Sequence, residues 1–183
     1  MDVGGATPAR ITTSGNFTAT GGTIDLTASN GPITPGTFEL VRYNGTLTGT
    51  PVINIPPALL ASRMNPVVNY GTGSNSAITV TSTSLPLSLV WHGAAAGGLW
   101  DYNNTANFNT GTEKFYSLDS VTFDDSGVSG TVQLDSTLFP AAVGFNHGTA
   151  VGTYLVQGTG GISGTCKITK TGVGTTILAT DNS

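Results

Sequence analysis

Three carboxylates crowd one short stretch of this chain, Asp119, Asp124 and Asp125 in LDSVTFDDSG. Oxygen ligands gathered at a turn suit Ca²⁺, a hard cation that prefers carboxylate and carbonyl donors. The same residues also read as turn chemistry, in which Asp and Ser side chains cap local backbone. The glycine-rich nonapeptide that holds calcium in β-rolls is absent. Trp91, Trp100 and Tyr102, with Phe108 close behind, form the second notable group. Such rings can stack on sugars, or they can close the end of a hydrophobic core. Acid–base hydrolysis of a glycan needs carboxyl groups paired across the bond to be cut. Glu39 and Glu113 are the only glutamates, Asp101, Asp119 and Asp135 stand beside turn signals, and His92 and His147 lie far apart with no nucleophile motif near them. We therefore assign no catalytic residue, no enzymatic activity and no cofactor.

The elements that would position these groups are strands. Only 9% of the 183 residues are charged, glycine contributes 26, and Thr, Ser and Asn crowd the rest. β-Branched residues fit a pleated surface better than a helix. A net charge of −4, with six Lys and Arg spread along the chain, leaves no basic stripe for nucleic acid. No apolar run is long enough to span a membrane as a helix. Cys166 excludes an internal disulfide because it is alone, and its phase with Ile168 makes it a small core residue. The sequons at Asn16, Asn44 and Asn103 are chance matches in a chain rich in Asn and Thr.

Short alternating runs recur every eight to twelve residues or so, the spacing of sandwiches, barrels and solenoids. GNFTAT and GTIDLTA come first, then GTFELVRYNGTLTG, where Phe38 and Leu40 share a face before the Asn44–Gly45 turn. Residues 51–66 form a proline-broken loop with room for one helical turn at ALLASRM, and SAITVTSTSL is a half-buried strand around Ile78 and Val80. These make a β-rich unit over residues 1–88. A second unit, 89–183, opens with LVWHGAAAGGLWDYNNTANF and continues through VTFDD, TVQLD, AAVGFN, GTYLVQG, CKITK and TTILAT. We expect the two units to share one continuous core. Strands so close together leave no room for helical crossovers, so tight turns join them, either hairpins or the corners of a coil. Alternation alone does not separate those two cases.

The second unit resembles the passenger-associated, autotransporter-type β-strand repeats of bacterial surface proteins. The residues that carry the likeness are VWHG, LWD, ANF, DSVTFDDSG and, above all, GISGTCKITKTGVGTTIL. One departure stands out: Thr176 occupies a position where the family pattern prefers a bulky apolar residue, and Ile177 falls on the outward phase. The resemblance implies an all-β fold, a right-handed parallel β-solenoid, with a β-sandwich as the alternative. It further implies a non-enzymatic stalk or adhesive element, at the bacterial cell surface or secreted. Its partners would be neighbouring repeats of a longer chain or other copies of itself, and surface glycans. The alternatives are a carbohydrate-binding sandwich using Trp91, Trp100 and Tyr102, and a self-assembling extracellular fibre subunit. Because the repeat pattern in Gly164–Ser183 is still running, we read the chain as a piece of a longer passenger.

Overall fold

A computed structural model describes residues 1–3, 8–27, 35–128 and 130–183. Ala28, the last residue of the GTIDLTA run, lies outside the described residues. The chain divides into two compact units, Met1–Leu85 and Pro86–Ser183.

In the first unit, β1 (Ile11–Thr13), β2 (Phe17–Thr18) and β3 (Thr23–Asp25) make one turn of a coil. β4 (Gly36–Tyr43), β5 (Leu47–Thr48) and β6 (Val52–Asn54) make the next, and each strand pairs in parallel with its counterpart. A four-residue helix, α1 (Pro57–Leu60), follows in the proline-broken loop, with proline supplying the fixed φ that suits a first helical turn. β7 (Val67–Tyr70) and β8 (Ser76–Ser82) then return as an antiparallel pair, and β8 runs antiparallel along β4. Ile78 and Val80 on β8 are buried, as their alternation requires. Phe38 and Leu40 do not set the phase of all of β4. The register shifts between Glu39 and Val41, and the buried face continues through Val41 and Tyr43. One extra residue at a bulge reverses which side chains point inward beyond it.

The second unit is a parallel β-solenoid. Its strands are β9 (Ser88–Val90), β10 (Ser120–Phe123), β11 (Thr131–Leu134), β12 (Ala142–Phe145), β13 (Thr153–Gly158), β14 (Lys167–Lys170) and β15 (Thr175–Leu178). One sheet has the order β14-β12-β10-β9 and the other β11-β13-β15, and every pairing in both is parallel. A third side is marked by the parallel bridge Leu138↔Ile162. From β10 onward, strands that follow one another in sequence lie on different sides of the coil, and β9 and β10, which share a sheet, pair in parallel, which rules out hairpins and a sandwich of antiparallel sheets.

Register explains the residue choices. Leu89, Val121, Val143 and Ile168 stand in one column across the first sheet, and Val132, Val156 and Leu178 in one across the second. Like residues on adjacent coils pack on one another, so each apolar column is buried by its neighbours rather than by a second layer. Phe123 stacks on Phe145 with ring centroids 4.7 Å apart, and Tyr154 meets Phe123 edge-on at 5.2 Å. The glycines of KTGVG have a specific job at the corner before β15. A Cβ at Gly172 would lie 2.1 Å from the His147 carbonyl oxygen, and one at Gly174 would lie 2.2 Å from both Gly148 O and His147 Nδ1. Only glycine lets this turn rest directly on the coil beneath it. Thr176 stands over Tyr154 in register, half-buried, with its hydroxyl 3.2 Å from His147 Nε2, while Ile177 points outward and is exposed. Cys166 is half-buried against the core, where burial pushes its thiol up.

Candidate functional site

The aromatic residues marked for chemistry gather between β9 and β10. There the coil is interrupted by a long excursion from Trp91 to Asp119. Trp91 follows β9 directly and points inward, and Gly93 turns the chain with φ of 75°. A Cβ on Gly93 would lie 2.6 Å from the Trp91 indole nitrogen, so the glycine of VWHG is there to let the ring lie flat beneath the turn. Trp100 is placed by a short parallel contact, its N–H donating to Gln133 O at 2.9 Å. Asp101 then organises the exit: its carboxylate accepts from Thr105 N and Thr105 Oγ1, both at 2.8 Å, and from Asn104 Nδ2 at 3.0 Å. This is an Asp-centred turn, the local bonding that favours Asp over a helix or strand former.

Residues 104–114 leave that turn as a strap that comes back over β9. Asn107–Asn109 lies antiparallel to Val90–His92, with His92 N donating to Asn107 O at 2.8 Å and Asn109 N to Val90 O at 2.8 Å. Val90 N in turn donates to Asn109 Oδ1 at 2.8 Å. The end of β9 at Val90 and the chain just beyond it are thus paired, and Phe108 is driven inward between the two indoles, 5.4 Å from Trp91 and 6.1 Å from Trp100. Phe115 completes the cluster edge-on to Trp100 at 5.4 Å. Trp91, Trp100, Phe108 and Phe115 are all fully buried.

Asn107 holds the strap down. It is completely buried, its Oδ1 accepts from Ala95 N at 2.7 Å, and its Nδ2 donates to Ala95 O at 2.9 Å and Leu99 O at 2.8 Å. A buried amide with both donors and its oxygen committed to backbone is a specifying element of the fold. Sequence reasoning included ANF in the resemblance but gave Asn107 no role. The signal lay in an asparagine directly before an inward Phe, a place where burial demands partners.

The sugar-stacking trio does not form one exposed face. Trp91 and Trp100 are inside the cap, and of the three only Tyr102 reaches solvent, 42% exposed and edge-on to Tyr116 at 5.7 Å. Indoles are the largest apolar payload in the chain, and both are spent in the hydrophobic core of the second unit.

The carboxylates do not converge either. Asp119 is fully buried at the start of β10, accepting from Leu87 N at 2.7 Å and Tyr116 N at 3.0 Å, which pins the chain on its way into β9. Asp124 caps its own turn through Ser126 N at 2.8 Å and Ser126 Oγ at 2.5 Å. Asp125 receives Gly148 N on both oxygens, at 3.0 and 2.9 Å, and so ties one corner to the next. Among the described residues no group of three His, Cys, Asp or Glu side chains is placed to hold a metal ion. The nearby Tyr154 hydroxyl donates to Asp124 O at 2.8 Å, and burial, then the charges of Asp124 and Asp125, push its phenol up to about 12. His92 and His147 sit on different coils; His147 is buried edge-on to Tyr154 at 4.7 Å and serves packing.

No family model, curated protein or solved structure matches this chain. What its geometry does show is a β-solenoid fold, with parallel coils stacked within each unit, consistent with autotransporter-like repeats. In the candidate site Asp101, Asn107, Asp119, Asp124 and Asp125 each accept from at least one main-chain N–H.

Proposed function

We propose that this chain is a non-enzymatic structural or adhesive segment of a bacterial cell-surface or secreted protein, a stalk-like element of an autotransporter-type passenger. One observation carries the reading: Asp101, Asn107, Asp119, Asp124 and Asp125, the groups with chemical potential, spend their oxygens on main-chain N–H groups. Carboxylates used this way are oriented by their own backbone and do not converge on a common point where a substrate could be held. The working part is then the ladder itself, a stack of parallel coils with few charges for a protease to recognise. Its partners are neighbouring repeats, and its place is the outer surface of the cell. Display of the chain between a secretion signal and a surface anchor tests this. Proteinase K should leave a fragment close to residues 86–183 intact on the cells, and rapid loss of the whole chain would count against the reading.

A further inference from the structure

The Asn44–Gly45 step lies between β4 and β5, at the corner where the second coil of the first unit rests on the corner between β1 and β2. Gly45 N donates to Gly15 O at 2.9 Å, Asn44 N to Thr13 O at 3.3 Å, and Phe17 N to Thr46 O at 3.0 Å. Asn16 Oδ1 accepts from Thr46 N at 2.9 Å and from Thr46 Oγ1 at 3.3 Å. Packing demands the glycine, because a Cβ at position 45 would lie 2.1 Å from Asn16 Oδ1 and 2.7 Å from Asn16 N. It does not demand the asparagine. Asn44 is exposed, and among the described residues its side chain has no hydrogen-bond partner.

The chemistry open to this pair is imide closure. Once Gly45 N has lost its proton to hydroxide, it attacks Asn44 Cγ: the N–Cγ bond forms, the Cγ–Nδ2 bond breaks, and the side-chain nitrogen leaves as ammonia. Water then opens the cyclic imide at either carbonyl, giving aspartate or the β-linked isoaspartate. Glycine favours the step, since no Cβ stands in the way of the approaching nitrogen. In the stacked coil that nitrogen is committed, its proton held on Gly15 O and its neighbours pinned to the coil beneath. Closure therefore waits for a local opening of the corner, and its rate follows the fraction of time the corner is open.

We propose that Asn44 is a self-modification site that coil stacking keeps dormant, so that its conversion is an irreversible record of unstacking in the first unit. Isoaspartate inserts one extra main-chain carbon between residues 44 and 45. The contacts of Gly45, Thr46 and Leu47 with Gly15, Asn16 and Phe17 then fall out of register, and a corner that has opened no longer closes as before. This goes beyond the stalk reading and does not rest on it.

The test incubates the full chain at mildly alkaline pH, folded and in urea, and follows loss of amide nitrogen and gain of isoaspartate by mass spectrometry. Cleavage after arginine puts Asn44 in the peptide 43–63 and Asn30, the other Asn–Gly step, in the peptide 11–42, so the two are read separately. Asn44 should convert at least about tenfold more slowly in the folded chain than in the unfolded one. Asn16→Ala removes the acceptor of both Thr46 bonds while leaving Asn44 and Gly45 in place, and should speed conversion in the folded chain by about threefold or more. Isoaspartate-containing chain, returned from urea, should show a lower thermal midpoint than unconverted chain treated alike. Equal rates in the folded and unfolded wild-type chain overturn the proposal, as do an Asn16→Ala rate unchanged from wild type and a converted chain that refolds to full stability. If Asn16→Ala loses its β-sheet circular dichroism, Thr46→Val, which gives up only the hydroxyl's bond, decides the matter by the same comparison.

Discussion

Replacing Asn107 by alanine removes three hydrogen bonds at once. Ala95 C=O keeps the Gly98 N–H at 3.0 Å, so Ala95 N–H and Leu99 C=O are the two groups that lose their partner. A buried polar group left unpaired costs about 1–3 kcal/mol. Ala95 and Leu99 are half-buried, so water recovers part of this, and the low end of the range applies to each. The sum is about 2 kcal/mol. For a unit of this size that is a large share of a stability of about 5–15 kcal/mol, and it lowers Tm by roughly 8–16 °C. Asn107→Asp keeps the shape but turns both donors into acceptors facing two carbonyls, so it should cost at least as much. Thermal unfolding followed by tryptophan emission and by circular dichroism measures both. A loss under about 1 kcal/mol for either variant would show that Asn107 does not hold the cap.

Other expectations follow from the same geometry. Gly174→Ala places a Cβ 2.2 Å from Gly148 O and His147 Nδ1, and should cost about 2–4 kcal/mol in chemical denaturation; a neutral result would contradict the coil stacking at that corner. The Tyr154 phenol is raised from 10.0 to about 12, so its contribution to stability is complete below pH 10 and is lost as pH climbs towards 12. Absorbance at alkaline pH should show a late-titrating component that disappears in Tyr154→Phe. Asp119→Ala removes the acceptor of the part-buried Leu87 and Tyr116 N–H bonds and should destabilise the unit by about 1–3 kcal/mol, read as a shifted denaturation midpoint at unchanged m-value. Chelation of divalent ions should leave Tm where it is, since a ligand bound only by the folded state would raise it; a clear drop with chelator would reinstate a metal at the Asp124–Asp125 corner.

Much of the second unit was legible because its strands are short and strictly alternating. VTFDD, TVQLD, AAVGFN, GTYLVQG, CKITK and TTILAT each contain one of the strands β10 to β15. Period two is shared by parallel coils and hairpins, so the step from strands to a solenoid needed the resemblance, and the register shows it directly. The β4 bulge was hidden because two adjacent apolar residues, Leu40 and Val41, do not say where the phase reverses. The aromatic and acidic groups were harder still. Trp91 and Asp119 look like binding residues in a list of side chains, and only the path of the strap shows that one is roofed over and the other turned onto backbone. Long-range partners of this kind leave no local pattern.

The central claim is the parallel coil stack, and amide and methyl NOEs in isotope-labelled protein test it most directly. Neighbouring-coil contacts should link Thr122 to Gly144 and Gly144 to Thr169, with methyl contacts running Val121–Val143–Ile168. Cross-strand contacts joining β10 to β11, such as Thr122 to Gln133, would mean antiparallel hairpins and would contradict it.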